Sequence, residues 1–109
     1  MPVEPYGIYL ARFQFLDSNT YKIRPVVVVG QPKGPHKIVL AVPLSSKTNH
    51  EDIDVIVEDW QASGLAKPTV ARVHRLTALL GGNILETLGQ LDEQDVESLK
   101  RALRQALKL

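Results

Sequence analysis

Arg24 stands between a polar stretch and four consecutive valines, in TYKIRPVVVVG (20–30). A residue that precedes proline is driven into the extended region, because the ring Cδ clashes with a helical predecessor, so Pro25 stiffens the backbone that carries this guanidinium. Arginine keeps its charge throughout the working pH range and offers a planar fork of donors that matches two phosphate oxygens. Two further groups of interest follow: the hydroxyls of Ser45 and Ser46 close the apolar run AVPLSS, and Arg72 and His74 stand two residues apart in TVARVHRLTAL. If that last segment is one strand, the two-residue period puts the guanidinium and the imidazole on one face. Arginine, hydroxyl and imidazole brought together can handle a phosphodiester. Each also has a plainer reading: an arginine before proline marks the start of a strand, and paired serines make turns.

Other chemistries find little footing. The sequence has no GxxxxGK[ST], GxGxxG or HExxH motif, and His36, His50 and His74 lack metal-ligand spacing. Without cysteine there is no disulfide framework, thiol nucleophile or zinc ribbon. No metal and no cofactor is expected.

The elements that must position these residues are mostly strands. In IYLARFQF (8–15), Tyr9, Ala11, Phe13 and Phe15 alternate with Arg12 and Gln14. A polar loop follows, and the stretch Asp17 to Ile23 is expected to be a mobile flap beside Arg24. Val26 to Val29 do not alternate, which suits a strand buried on both faces. Gly30 to Lys37 reads as a hairpin connection to a partner strand, Ile38 to Leu44. A short strand fits Ile53 to Val57, and then a turn or short helix ends at Gly64, with Pro68 barring continuation. TVARVHRLTAL reads as a further strand, Gly81-Gly82-Asn83 turns the chain, and ILETLGQL pairs back. The closing segment is helical: Asp92 caps it, Asp95 adds negative charge near its start, and Val96, Leu99, Leu103 and Leu107 recur on one face. Lys100, Arg101, Arg104 and Lys108 crowd its C-terminal half, where the helix dipole favours cations, so they need no ligand. Trp60 reads as a core or interface anchor. The fold class is mainly β: a small, strongly bent antiparallel sheet or partly closed barrel with a C-terminal helix packed on it.

The 109 residues and their 44% hydrophobic content suffice for one core, and a single domain over 1–109 is expected. The start, MPVEPYG, lacks the basic and apolar regions of a leader, and no apolar run approaches the roughly 20 residues of a membrane helix. A soluble, unprocessed cytoplasmic protein is expected. Net charge is only +1, but its distribution is uneven. Lys22, Arg24, Lys33, Lys37 and Lys47 lie in a stretch without acids, and so do Lys67, Arg72 and Arg75, while the acids gather in Glu51 to Asp59 and Glu86 to Glu97. Ordinary surface scatter is one explanation. If the two basic blocks meet in space, they make a positive face able to attract phosphates on a nearly neutral protein.

The stretches IYLARFQFLDSNTYKIRPVVVV, IVLAVPLSS, DWQASGLAKPTVARVHRL and LGQLDEQDVESLKRALRQAL, in this order and spacing, resemble the MazF/PemK-like family of type II toxin-antitoxin systems. The resemblance implies an SH3-like barrel of the CcdB-MazF type with a C-terminal helix, and a homodimer with RNA lying across its interface. It also implies metal-independent cleavage of single-stranded RNA, including mRNA, by attack of the ribose 2′-hydroxyl on the adjacent phosphate, and hence arrest of translation and growth. Carried over by position, Arg24 matches the family's RP arginine and would supply transition-state charge and the proton for the leaving oxygen. Ser45 matches a strand-end hydroxyl that bonds a phosphate oxygen, and Arg72 matches a basic residue of the site. Lys22, Ser46, Lys47 and Arg75 join Arg72 as expected RNA contacts. The implied partners are single-stranded RNA and a cognate antitoxin with an acidic, partly disordered tail; DNA is reached only through the antitoxin complex, and no membrane is involved.

The chain departs from the family pattern at Gly7 and Arg12, where relatives often carry acids, and at His74, where some have aspartate. An imidazole titrates near neutral pH, so His74 is the candidate base in place of a carboxylate, and it equally suits a toxin that binds RNA and cuts slowly. A rival class is a non-catalytic binding module, or a gyrase poison such as CcdB acting by protein contact. Gyrase poisons of that kind depend on an aromatic residue at the end of the C-terminal helix, whereas this chain ends RQALKL.

Overall fold

A computed structural model describes residues 2–14, 20–49 and 53–109. The strands are β1 (Gly7–Gln14), β2 (Tyr21–Val28), β3 (Val39–Ser45), β4 (Val55–Val57), β5 (Thr69–Ala71), β6 (Thr77–Leu79) and β7 (Ile84–Gln90). The single helix among the described residues is α1 (Glu93–Leu107). The strands form one antiparallel sheet in the order β4-β5-β3-β2-β1-β7, with β6 also on β3. The β1–β7 ladder shifts register between Ile8 and Tyr9 and again between Leu10 and Ala11, and such irregularities bend a sheet toward closure.

The expected burial is observed for three of the four valines and explains why their run lacks alternation, whereas Val29 lies past the end of β2 and is half-buried. Val26, Val27 and Val28 are fully buried, with Val27 on one face of the sheet and Val26 and Val28 on the other. Val27 joins Ile8, Val42 and Leu44 beneath Leu99 and Ala102 of α1. Val26 and Val28 join Tyr9, Ala11, Phe13 and Val39, closed over by Leu79 and Ile84. Phe15, expected beside Phe13, lies outside the described residues. So does the 17–19 part of the expected flap; Tyr21, Lys22 and Ile23 belong to β2 rather than to a loop.

The segment read as a single strand, TVARVHRLTAL, is divided. β5 and β6 both pair with β3, but a 3₁₀ turn, Val73–Arg75, is inserted between them and drives Val73 into the core under α1. β7 does not pair back on β6. Gly81–Asn83 forms a second 3₁₀ turn rather than a hairpin, and β7 takes its ladder from β1.

Asp92 caps α1, its carboxylate accepting from the Gln94 N–H at 3.1 Å. Leu99 is buried, Val96 and Leu103 pack beside it, and Leu107 is 51% exposed. At roughly 100° per residue, Leu107 falls about 80° from Leu99, whereas Ala106 falls near the centre of the buried face and packs there. Asp95 is not a surface charge at the helix start: it is 1% exposed and accepts from the backbone N–H groups of Glu58 and Asp59, tying the turn after β4 to the helix. That turn runs to Gly64, whose φ of +88° and contact with the Leu88 carbonyl leave no room for a side chain. Trp60 packs against the helix-side core, the first of the two roles expected of it.

Candidate active site

β2 and β3 pair from Val28 opposite Ala41 to Val26 opposite Pro43. Beyond that rung the strands part, because Pro25 brings no N–H to a ladder and β3 turns to β5 through Leu44 and Ser45. A cleft of about 910 Å³ opens at the fork, floored by Pro25, Pro43 and Leu44. Arg24 is exposed on one side, where its Nη1 donates to the Ile23 carbonyl at 3.3 Å. Ser45 lies on the other. Continued past Pro43, the register would set these two residues opposite each other.

The end of β3 carries its own turn. The Lys47 N–H donates to Oγ of Ser45 at 3.1 Å. The serine is thus a turn former, as its type suggests, and the same bond uses only an acceptor site of the hydroxyl, leaving its proton to donate into the cleft. Ser46 and Lys47 follow, exposed on the rim.

The opposite wall comes from β5 and the 3₁₀ turn after it. Arg72 donates through Nη1 to Oδ2 of Asp54 at 3.0 Å and to the Asn49 carbonyl at 2.6 Å, and through Nη2 to the Lys47 carbonyl at 2.7 Å. Oδ1 of Asp54 accepts from the Val73 N–H at 3.2 Å. The side chains are 18% and 5% exposed, so this pair is sheltered from screening. His74 and Arg75 lie exposed on the turn and line the cleft. His74 does not share a strand face with Arg72, because the 3₁₀ turn breaks the two-residue period between them.

The two basic blocks therefore meet. Among the described lining residues are Lys22, Arg24, Lys47, Lys67, Arg72 and Arg75 and a single carboxylate, Asp54, held by Arg72. Lys33 and Lys37 take no part, since they sit on the far turn between β2 and β3. Such a concave, singly signed surface focuses its field on anions. Among the described residues, no cluster of His, Cys, Asp or Glu has the makings of a metal site.

The sequence profile of the PemK-like, MazF-like toxins of type II toxin-antitoxin systems matches residues 4–107. The chain belongs to this family. Comparison with curated proteins gives no match. Among solved structures, the Mycobacterium tuberculosis toxin MazF-mt6 is similar at 20% identity and a TM-score of 0.77, over 94% of this chain and 97% of that one. MazF from Deinococcus radiodurans is similar at 14% identity and a TM-score of 0.79, over 100% and 99%. An endoribonuclease from Mycobacterial species in complex with its cognate antitoxin is similar at 17% identity and a TM-score of 0.75, over 100% and 97%. At these identities the likeness speaks for the fold, and the expected MazF-type barrel with its C-terminal helix is what the chain adopts.

In this MazF-like cleft the structure brings together all the residues singled out from sequence: Arg24, Ser45, His74, Lys22, Ser46, Lys47, Arg72 and Arg75. Arg72 differs from its expected use. Three protein acceptors occupy its guanidinium, so what it offers a phosphate is chiefly charge. Sequence reasoning missed Asp54 and Asn49, whose partners are distant in the chain, and left Lys67 in its basic block without a role. Thr69 steadies the turn that carries Lys67, its hydroxyl donating to the Lys67 carbonyl at 2.8 Å. Pro43 faces Val26 at the last rung and Pro25 stands one residue beyond it, and these two prolines were the readable signal for where the strands separate.

Proposed function

We propose that this chain is a metal-independent endoribonuclease toxin that cleaves single-stranded RNA, mRNA among its targets, and so arrests translation and growth. The observation that carries the reading is the meeting of two sequence-distant basic blocks in one cleft whose fork holds an arginine and a hydroxyl. Phosphates of an unpaired strand are drawn to the rim by Lys22, Lys47, Lys67 and Arg75, with Ser46 as a hydrogen-bonding neighbour.

The scissile phosphate sits between Arg24 and Ser45. The ribose 2′-oxygen attacks phosphorus, the bond to the 5′-oxygen breaks, and that oxygen takes a proton from solvent water, so the products are a 2′,3′-cyclic phosphate and a 5′-hydroxyl. Arg24 balances the charge that builds on the non-bridging oxygens and hydrogen-bonds toward the leaving oxygen. Removal of one such donor ordinarily costs about 10²- to 10³-fold in rate. Ser45 donates its hydroxyl proton to a phosphate oxygen, and His74, on the rim, is the proton acceptor for the 2′-hydroxyl. The working unit is a cytoplasmic homodimer that is neutralised by the acidic, disordered tail of a cognate antitoxin. Neighbouring folds solved in complex with an antitoxin support the antitoxin part of this reading.

The test is incubation of purified protein with end-labelled single-stranded RNA of mixed sequence in excess EDTA. Discrete cuts ending in 2′,3′-cyclic phosphate are expected. Intact RNA, or cutting that appears only on adding a divalent cation, would refute the proposal.

A further inference from the structure

Arg72 and Asp54 stand at the cleft but face the protein. Nη1 of Arg72 bonds Asp54, and Nη2 bonds the Lys47 carbonyl at 2.7 Å. On the other side of the same residue, the Lys47 N–H bonds Oγ of Ser45 at 3.1 Å. Asp54 is itself fixed by the Val73 N–H at 3.2 Å, at the point where the 3₁₀ turn enters the core. The result is a continuous chain from the core outward: Val73, Asp54, Arg72, Lys47, Ser45. Its last bond decides which lone pair of the serine is used and therefore where the hydroxyl proton can point.

We infer that Asp54 and Arg72 are positioning residues that aim the Ser45 hydroxyl by holding the Lys47 carbonyl, and through it the Lys47 N–H that bonds the serine, rather than a phosphate-binding arginine and a bystander carboxylate. The inference rests on the nuclease reading of the cleft. The physical case is the sheltering of the pair, whose side chains are only 18% and 5% exposed. An arginine meant to grip RNA gains nothing from a carboxylate at 3.0 Å that competes for it. An arginine meant to hold a loop needs that carboxylate to fix its plane, and the fork then reaches Lys47 and Asn49 with its remaining N–H groups.

The two roles make opposite predictions for Asp54→Asn. If Arg72 bound phosphate directly, removing the neighbouring negative charge would tighten RNA and leave or raise the cleavage rate. As a positioning residue, Asp54→Asn should lower kcat by about 10- to 100-fold with KM within about twofold, the size of loss that small misplacement of a reacting group produces. Arg72→Gln should lower kcat similarly, and Arg72→Lys should not restore it, since an ammonium cannot span Asp54 and Lys47. In a Ser45→Ala background, Asp54→Asn should cost less than about threefold more, because its effect passes through the missing hydroxyl. Full additivity in that background, or tighter RNA binding by Asp54→Asn, would overturn the inference.

A second arm needs no activity. Hydrogen exchange of the Lys47 amide should quicken by about tenfold or more in both Asp54→Asn and Arg72→Gln, while amides of β1 and α1 keep their protection. Unchanged exchange at Lys47 would overturn the clamp. An inactive wild-type protein would overturn the nuclease reading alone and leave this arm to decide.

Discussion

Val26 of β2 and Pro43 of β3 form the last rung of their ladder, and the cleft begins one residue beyond it. The same two strands that build the core thus end as the two arms of the fork at which the site opens. Pro25 stiffens one arm and the start of the β3–β5 pairing fixes the other, so Arg24 and Ser45 stand on rigid elements rather than on free loops.

Arg24→Ala should therefore abolish cleavage, by about 10²-fold or more, without unfolding the protein. The side chain is exposed, and surface substitutions of this kind leave stability nearly unchanged. Arg24→Lys should recover little, since an ammonium lacks the fork. Single-turnover cleavage alongside a thermal melt checks both halves; near-normal cutting by either variant would remove Arg24 from the mechanism.

Asp95 and Asp92 sit three residues apart on one helix and should behave differently. Asp92→Ala removes an N-cap bond and should cost about 1 kcal/mol. Asp95→Ala strands the N–H groups of Glu58 and Asp59 beside the core and should cost about 2–4 kcal/mol. Urea unfolding of the two variants decides it. Equal small losses would mean that the turn after β4 does not depend on this carboxylate.

How much of this was readable from the chain varies with the range of the interactions. Arg24 and Ser45 announce themselves locally, one by a following proline and the other by ending an apolar run, and both line the cleft, although Arg24 lies inside β2 rather than at its start. Asp95 misleads for the same reason: an acid near a helix start is explained locally by the dipole, and nothing nearby in sequence points to Glu58 and Asp59. Arg72 and His74 look like neighbours on a strand because periodicity is blind to a three-residue 3₁₀ insertion, which is specified by Val73 reaching the core under α1. The Gly81-Gly82-Asn83 turn suggests a hairpin, yet β1 has a free edge long enough for seven residues of β7, and the longer ladder wins. Tertiary pairing overrode the local signal there.

Gly64 and Gly34 both have positive φ, +88° and +77°, but only Gly64 is crowded, by the Leu88 carbonyl. Gly34→Ala should cost about 1 kcal/mol for its left-handed backbone alone. Gly64→Ala must also push the turn away from β7 and should cost at least about 2 kcal/mol. Denaturation midpoints of the pair would show whether the turn after β4 is docked as tightly as its geometry implies; equal costs would argue that it gives way easily.

The convergent cations predict a steep salt dependence for RNA. For single strands, each phosphate neutralised contributes a slope of roughly −0.7 in log K against log salt. Lys67→Ala should flatten that slope by about one such unit, whereas Lys33→Ala, on the distant turn, should leave it unchanged. Fluorescence anisotropy with an RNA carrying 2′-methoxy groups, which cannot be cleaved, measures this directly. A loss of slope with Lys33→Ala equal to that with Lys67→Ala would mean that RNA runs well beyond the cleft.

The same surface should answer to the antitoxin. A cleft with a cationic rim and a floor of Pro25, Pro43 and Leu44 suits a disordered acidic segment that lays carboxylates on the rim and apolar anchors on the floor. Such a segment competes with RNA for the same ground. Screening weakens its charge contacts but not its anchors, so its affinity should fall between low and high salt without vanishing, whereas RNA binding should fall further over the same range. Arg75→Glu should weaken both ligands, because it reverses a rim charge that each of them meets. A competition titration with fluorescent, uncleavable RNA and the tail encoded by the neighbouring gene gives the answer. Full displacement of RNA at saturating tail is expected, and simultaneous binding of both ligands to one cleft would show that the antitoxin acts from another face.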